Sequence, residues 1–329
     1  MRTCFSHIYA YPTPDQSLSE PIQLAYVQVM NSNLLTRRSF LGNSSLMAAS
    51  LTAGMRTSNV LQADTAAVRS NIKFGLVTYL WGKDMKLPDL IRACEEAGVG
   101  GVETRTQHAH GVEPLLSAAE RREVRDRFKD SSVSLVGYGS NAQFHDVEPE
   151  KLKANIELTK QYIRLMHDCG GSGVKVKPNG FSKGLSKEKT ILQIGRALNE
   201  VAAYGDDWGQ EIRVEAHGKG TSDLPVMKAI FDMADHPNVG VCWNSNGVDT
   251  QGAGLKSNFN MVRDRFGATA HVRELNLGDY PYQQLMKMMV QTKYNGWILL
   301  EARTKPVDKI AAMKEQRELF EGMIATARG

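Results

Sequence analysis

Leu87-Pro88-Asp89-Leu90-Ile91-Arg92-Ala93-Cys94-Glu95-Glu96-Ala97-Gly98-Val99-Gly100-Gly101-Val102-Glu103-Thr104-Arg105 decides how this chain folds. Leu90, Ile91, Cys94 and Ala97 recur at helical spacing and mark an apolar face, while Asp89, Ala93 and Glu96 are polar or small. Gly98, Gly100 and Gly101 then stop the helix and open a short β-rich run, Gly101–Arg105. A helix, a glycine stop and a strand form one unit, and Gly170, Gly171 and Gly173 repeat the stop ahead of a later strand.

Working outward, the same alternation predicts strands at Lys73–Thr78, Gly101–Arg105, Ser134–Tyr138, Gly173–Lys177, Ile212–His217, Val239–Asn244, Ala270–Glu274 and Trp297–Arg303. Helical stretches lie between and after them at Leu87–Ala97, Ala118–Lys129, Pro149–Cys169, Lys187–Tyr204, Asp223–Ala234, Leu255–Phe266, Pro281–Tyr294 and Pro306–Ala327. Strand and helix alternate eight times from residue 71 to residue 329, which is the count and the length of a single-domain α/β fold, the (β/α)8 TIM barrel. An open doubly wound sheet is the alternative. It would carry a glycine-rich dinucleotide fingerprint after the first strand, and Phe74-Gly75-Leu76-Val77-Thr78-Tyr79-Leu80-Trp81-Gly82 has none.

Composition narrows the function. The 329 residues carry 40 Lys+Arg against 36 Asp+Glu, a net charge of +4, with no basic run interleaved with aromatics. Nothing there points to a nucleic-acid partner. With 42% hydrophobic and 23% charged residues the chain can bury a full core. It holds no apolar stretch of the ~18 residues that a stable membrane span needs. Cys4, Cys94, Cys169 and Cys242 include no CxxC pair, and the last three read as small buried apolar residues.

Residues 1–70 lack a sustained helical or strand period. Within them Thr36-Arg37-Arg38-Ser39-Phe40-Leu41 precedes a mildly apolar run, Leu41–Met55, and small residues at Ala63, Ala66 and Ala67. That is the layout of a twin-arginine export signal, and it predicts a periplasmic or extracytoplasmic location. The thirty or so residues ahead of it are long for such a leader, so Met30 is the expected true start.

Side chains at i and i+2 of a strand share a face. Inside a barrel that face is packed with apolar groups low down and opens into the active site at the carboxyl ends. Six strands end in polar-x-polar: Glu103 and Arg105, Lys175 and Lys177, Glu215 and His217, Asn244 and Asn246, His271 and Arg273, Glu301 and Arg303. Their neighbours Val102, Val176, Val214, Trp243, Val272 and Leu300 are apolar and should face the helices. One such pair alone is as readily a structural ion pair as a site. Six in one phase read as an active site, since buried charge is costly unless paired or used. Glu215, His271 and Glu301 are oxygen and nitrogen donors suited to Mn²⁺, Co²⁺, Zn²⁺ or Mg²⁺, and Asn244 offers a carbonyl oxygen as a fourth ligand. Arg105, Lys175, Lys177, Arg273 and Arg303 offer cations for anionic or hydroxyl groups. His108 and His110, in a loop that should overhang the mouth, are further candidates for substrate contact.

From Ile72 onward the chain resembles the xylose isomerase-like TIM barrels, the sugar isomerases and epimerases with distant apurinic endonuclease relatives. The pieces that carry the resemblance are Arg213-Val214-Glu215-Ala216-His217-Gly218, Gly240-Val241-Cys242-Trp243-Asn244, His271-Val272-Arg273-Glu274 and Gly296-Trp297-Ile298-Leu299-Leu300-Glu301. Val102-Glu103-Thr104-Arg105 through His108-Ala109-His110-Gly111 looks like an exported branch of that family. The resemblance implies a divalent metal held by Glu, Asp, His and Glu of the fifth to eighth strands. Glu215, His271 and Glu301 match, whereas Asn244 stands where Asp is usual and Gly247 where many epimerases place His. It also implies a small carbohydrate substrate, a homo-oligomer, and proton abstraction beside a sugar carbonyl. In that reaction Glu215 or Glu301 is the base, the other glutamate returns the proton, and His217 or Arg273 positions hydroxyls. A lyase or hydrolase of 3-keto-glycosides on the same apparatus, and a sugar-binding barrel without catalysis, are the competing readings.

Overall fold

The computed structural model describes residues 70–329; the leader reading, with its arginine pair and the Met30 start, lies outside them except for Ser70. Eight strands alternate with eight α-helices: β1 Lys73–Val77, α1 Leu87–Ala97, β2 Gly101–Arg105, α2 Ala118–Lys129, β3 Ser134–Gln143, α3 Pro149–Cys169, β4 Gly173–Lys177, α4 Lys187–Asp207, β5 Glu211–Glu215, α5 Leu224–Met233, β6 Val239–Asn244, α6 Leu255–Val262, β7 Phe266–Val272, α7 Tyr282–Gln291, β8 Trp297–Leu300 and α8 Lys309–Arg328. The strands pair in parallel and in chain order, and β8 returns to β1 through Phe74 opposite Ile298 and Leu76 opposite Leu300. Closure removes both sheet edges.

The opening unit folds as its pattern demands. Leu87, Leu90, Ile91, Cys94 and Ala97 are buried on α1, and the Val99 N–H bonds back to the Cys94 carbonyl (2.8 Å) to end it. The outward residues of the strands, Val102, Val176, Val214, Trp243, Val272 and Leu300, are each at most 1% exposed beneath the helix layer. Burying a side chain of that size contributes roughly 1.5–3 kcal/mol. Cys94, Cys169 and Cys242 are free and buried.

Three differences from the sequence expectation have physical causes. β3 runs on to Gln143 instead of stopping at Tyr138. Gly139 continues the strand because glycine is needed there for space: a Cβ would sit 2.8 Å from Glu103 Oε1 and 2.9 Å from Arg105 Cγ. α6 ends at Val262 and Phe266 begins β7, not the close of a helix. The break is fixed by Arg265, whose guanidinium donates to the carbonyls of Phe231, Ala234, His236 and Val239 (2.8–3.3 Å) and so ties this turn to the foot of the barrel. Finally, the low interior is less apolar than expected. Val77, Val136 and Leu299 form only a thin plug, and Arg213 is buried with them inside the barrel, 1% exposed. It donates to Glu211 Oε2 (2.7 Å), the Val136 carbonyl (3.0 Å) and Ser172 Oγ (2.8 Å). A Cβ at Gly137 would lie 2.6 Å from this guanidinium, so glycine clears the space here too.

Candidate active site

The carboxyl ends of β5, β7 and β8 bring Glu215, His271 and Glu301 together. Each offers one ligand atom within 4.8 Å of the others, and all three are buried. Among the described residues no other group of three or more His, Cys, Asp or Glu converges in this way. A groove of about 580 Å³ lies at the other end of the barrel, lined by residues such as Phe74, Trp297 and Phe320. Among the described residues it holds no such set of ligand atoms, which makes the mouth the candidate site.

Side chains of this chain already surround the three. Lys175, fully buried on β4, places Nζ 2.5 Å from Glu215 Oε2 and donates to the Ser140 carbonyl (3.3 Å). The Asn244 amide nitrogen donates to the other Glu215 oxygen (2.6 Å). Arg105 donates to Glu301 Oε1 (3.0 Å) and to Asn141 Oδ1 (3.2 Å), and lies over the Tyr79 ring at 4.9 Å. Glu103, buried on β2, has Oε1 3.2 Å from His271 Nε2. Neither Glu103 oxygen, nor Glu215 Oε2, nor either His271 ring nitrogen completes an aligned hydrogen bond. Buried polar atoms left in that state cost stability and mark a place where function outranks it.

The electrostatics follow from these contacts. Burial pushes the Glu215 carboxyl up, but the charges of Lys175, His271 and Lys177 outweigh it and hold the group well below the usual carboxylate range. Glu103 is lowered in the same way, burial being overcome by His271 and Lys175. Burial opposes the His271 imidazolium, yet Cys242 and Glu103 beside it raise its pKa well above the ordinary value. Lys177, half-buried and close to Lys175, is brought down to about 8, by burial first and then by that like charge.

The remaining expected residues form an outer ring. Lys177 reaches only Asn141 Oδ1 (3.4 Å), and His217 Nδ1 pairs with Asn179 Oδ1 (2.8 Å). Arg273 donates to Asn246 Oδ1 (3.3 Å), while the Asn246 amide nitrogen is spent on the Ala216 and Asn244 carbonyls. His108 meets Thr78 Oγ1 at 3.0 Å, and burial lowers its pKa. His110 has another task than substrate contact. Both its ring nitrogens are taken by backbone, the Arg105 carbonyl (2.8 Å) and the Val112 N–H (3.0 Å), and burial lowers its pKa to about 4. Arg303 lies beyond the end of β8 and is exposed, not turned inward with Glu301. Sequence reasoning passed over Asn141 and Asn179. Their signal was present, since Asn141-x-Gln143 and Lys177-x-Asn179 continue the same two-residue period past the assumed strand ends.

The resemblance implies a divalent metal here. In spacing, Glu215, His271 and Glu301 suit one ion. In charge they do not. Glu215 and Glu301 contribute −2, and Lys175 and Arg105, in direct contact, already supply +2. A dication there would also lie against the Lys175 ammonium and be repelled by it. Asn244 turns a donor, not a lone pair, toward Glu215. As arranged, the residues do not fit a divalent ion alongside their own cations.

Comparison with known proteins agrees with the fold. The model of the xylose isomerase-like TIM barrel family matches residues 91–323. No curated protein matches the chain in sequence. Among solved structures, 3-keto-D-glucoside 4-epimerase YcjR from E. coli, in its apo form, superposes with a TM-score of 0.66 at 13% identity, over 77% of this chain and 100% of its own. An L-ribulose 3-epimerase gives 0.68 at 14%, over 78% and 96%. The IOLI protein, with a zinc atom bound, gives 0.65 at 14%, over 78% and 99%. At these identities the likeness is one of fold.

Proposed function

Given that the chain belongs to the xylose isomerase-like TIM barrel family, we propose that it is an isomerase or epimerase of a sugar or sugar derivative, acting by proton abstraction beside a carbonyl. The observation that carries this is the convergence of two buried carboxylates and an imidazole at the mouth, ringed by cations. Structural neighbours named as sugar epimerases support the reaction class.

A keto-sugar in the mouth presents its carbonyl oxygen to the cations and the adjacent C–H to a carboxylate. Glu301 takes that proton. The C–H electrons become the double bond of an enediolate, and the carbonyl oxygen gains the negative charge. Lys177, whose ammonium pairs with no carboxylate among the described residues, steadies that oxygen. Glu215 then delivers a proton to the opposite face of the same carbon, giving an epimer, or to the neighbouring carbon, giving an isomer. That proton reaches Glu215 from solvent and Glu301 loses its own to solvent, so the protons balance over a turnover and Lys175 keeps its charge beside Glu215. His217 and Arg273, at the ends of β5 and β7, position substrate hydroxyls.

A second reading rests on the neighbour that carries a 3-keto-D-glucoside in its name. Abstraction from such a substrate, with a glycosidic oxygen β to the carbanion, expels that oxygen, and the enzyme is then a lyase. Export by the twin-arginine route, read from Arg37 and Arg38, belongs to the same proposal, because glycosides rather than sugar phosphates are found outside the cytoplasm. The test is Glu301→Gln assayed on a panel of keto-sugars and 3-keto-glycosides. Turnover should vanish while circular dichroism and thermal unfolding stay as in the wild type. Activity near the wild-type level overturns the assignment, and sugar binding without turnover in the wild type leaves a binding barrel.

A further inference from the structure

We propose that Lys175 is the resident cation of this site: its ammonium neutralises Glu215 and keeps the Glu215–His271–Glu301 group free of a divalent metal. The inference deepens the functional reading of the same site, but it is tested by metal binding without substrate, so either can fail alone.

Lys175 is fully buried, and an ammonium is removed from water only where acceptors replace the lost hydration. Here the Ser140 carbonyl accepts at 3.3 Å and the Glu215 carboxylate stands as counter-charge, Oε2 at 2.5 Å though not aligned as a hydrogen bond, at the one place in the described structure where three ligand atoms converge. A metal drawing on Glu215 would have to displace the ammonium, and the other buried carboxylates at the surrounding strand ends each lie against a basic side chain of the chain. Glu301 is held by Arg105 (3.0 Å), and Glu103 faces His271 (3.2 Å). Asn244, neutral and donating to Glu215, adds no charge that would draw a metal in. Lys175 and Asn244 are thus one arrangement. With the ammonium present, a carboxylate at position 244 is not required, and the positive charge needed by an enediolate is built into the chain.

The experiment measures Mn²⁺ binding by electron paramagnetic resonance, and the metal content of dialysed protein by mass spectrometry, for the full wild-type chain, Lys175→Met and Lys175→Gln. Lys175→Gln retains an amide that can donate to Glu215 and the Ser140 carbonyl, so it guards against failure of the methionine variant to fold. The expected result is no retained metal in the wild type and roughly 10²-fold tighter Mn²⁺ binding once the ammonium is gone. A stoichiometric metal retained by the wild type after dialysis overturns the proposal. So does a folded Lys175 variant that binds Mn²⁺ no better than the wild type.

Discussion

Lys175 on β4 and Arg213 on β5 are register partners, and both are buried inside the barrel, yet they point to different ends of it. Arg213 turns to the foot, where Glu211, Ser172 and the Val136 carbonyl satisfy it. Glu211 in turn accepts from the Ala268 N–H (3.0 Å). Lys175 turns to the mouth, where Glu103 and His271 still have atoms without hydrogen bonds and Lys177 has its ammonium pushed toward neutrality. Charge is buried at both ends. Only at the foot is it spent on structure, since a saturated network stabilises and an unsaturated one is held ready for something else to bind.

The sharpest way to break this contrast is to remove one charge from each end. Glu301→Gln should lower turnover by ~10²–10⁴-fold while keeping the Arg105 contact and the stability of the fold. Arg213→Met should do the reverse, costing about 1–3 kcal/mol in urea unfolding because the Val136 carbonyl and Glu211 lose their buried donor, with the turnover of the folded fraction unchanged. If Arg213→Met abolishes turnover at full stability, the foot is not merely structural and the contrast fails.

Gly137 and Gly139 repeat the contrast on one strand. Gly137 clears space for Arg213 and Gly139 for Glu103 and Arg105. Gly139→Ala should cost about 1–3 kcal/mol through overpacking and also lower kcat, because it displaces the side chain that holds Glu301. Equal kcat in the folded variant would detach Arg105 from the chemistry.

The smallest effect is one of pH. Lys177 falls from an ordinary 10.5 to about 8, with burial as the main cause. If its ammonium steadies the enediolate, activity declines as pH rises through about 8, and Lys177→Gln removes that limb. Between about 8 and 10.5 the unfolded chain binds more protons at this lysine than the folded one, so this group makes the fold more stable as pH climbs through that window. The decline is therefore not unfolding driven by Lys177, and unfolding curves taken across the same range check this.

The barrel was legible because its signals are local and repeated: an apolar helix face, a glycine stop, a short β-rich run. The mouth was legible because a two-residue period places Glu215, His271 and Glu301 in one phase. What sequence could not show depends on which way a buried chain turns. Arg213 and Lys175 carry the same charge in equivalent strand positions, and only packing sends them to opposite ends. His110 reads as an exposed loop histidine until the fold brings the Arg105 carbonyl and the Val112 N–H to its ring. Phe266 follows Arg263-Asp264-Arg265 and reads as helix, because the carbonyls that capture Arg265 come from residues 26–34 positions earlier.

Solvent hydrogen exchange tests the central claim most directly. Wild-type protein and Glu301→Gln are incubated with a 3-keto-glucoside in deuterated water, and the recovered sugar is analysed by mass spectrometry and NMR. The wild type should place deuterium on the carbon next to the carbonyl, in substrate or product, and Glu301→Gln should not. A wild-type enzyme that converts the sugar without any deuterium entering at that carbon would contradict proton abstraction at this mouth.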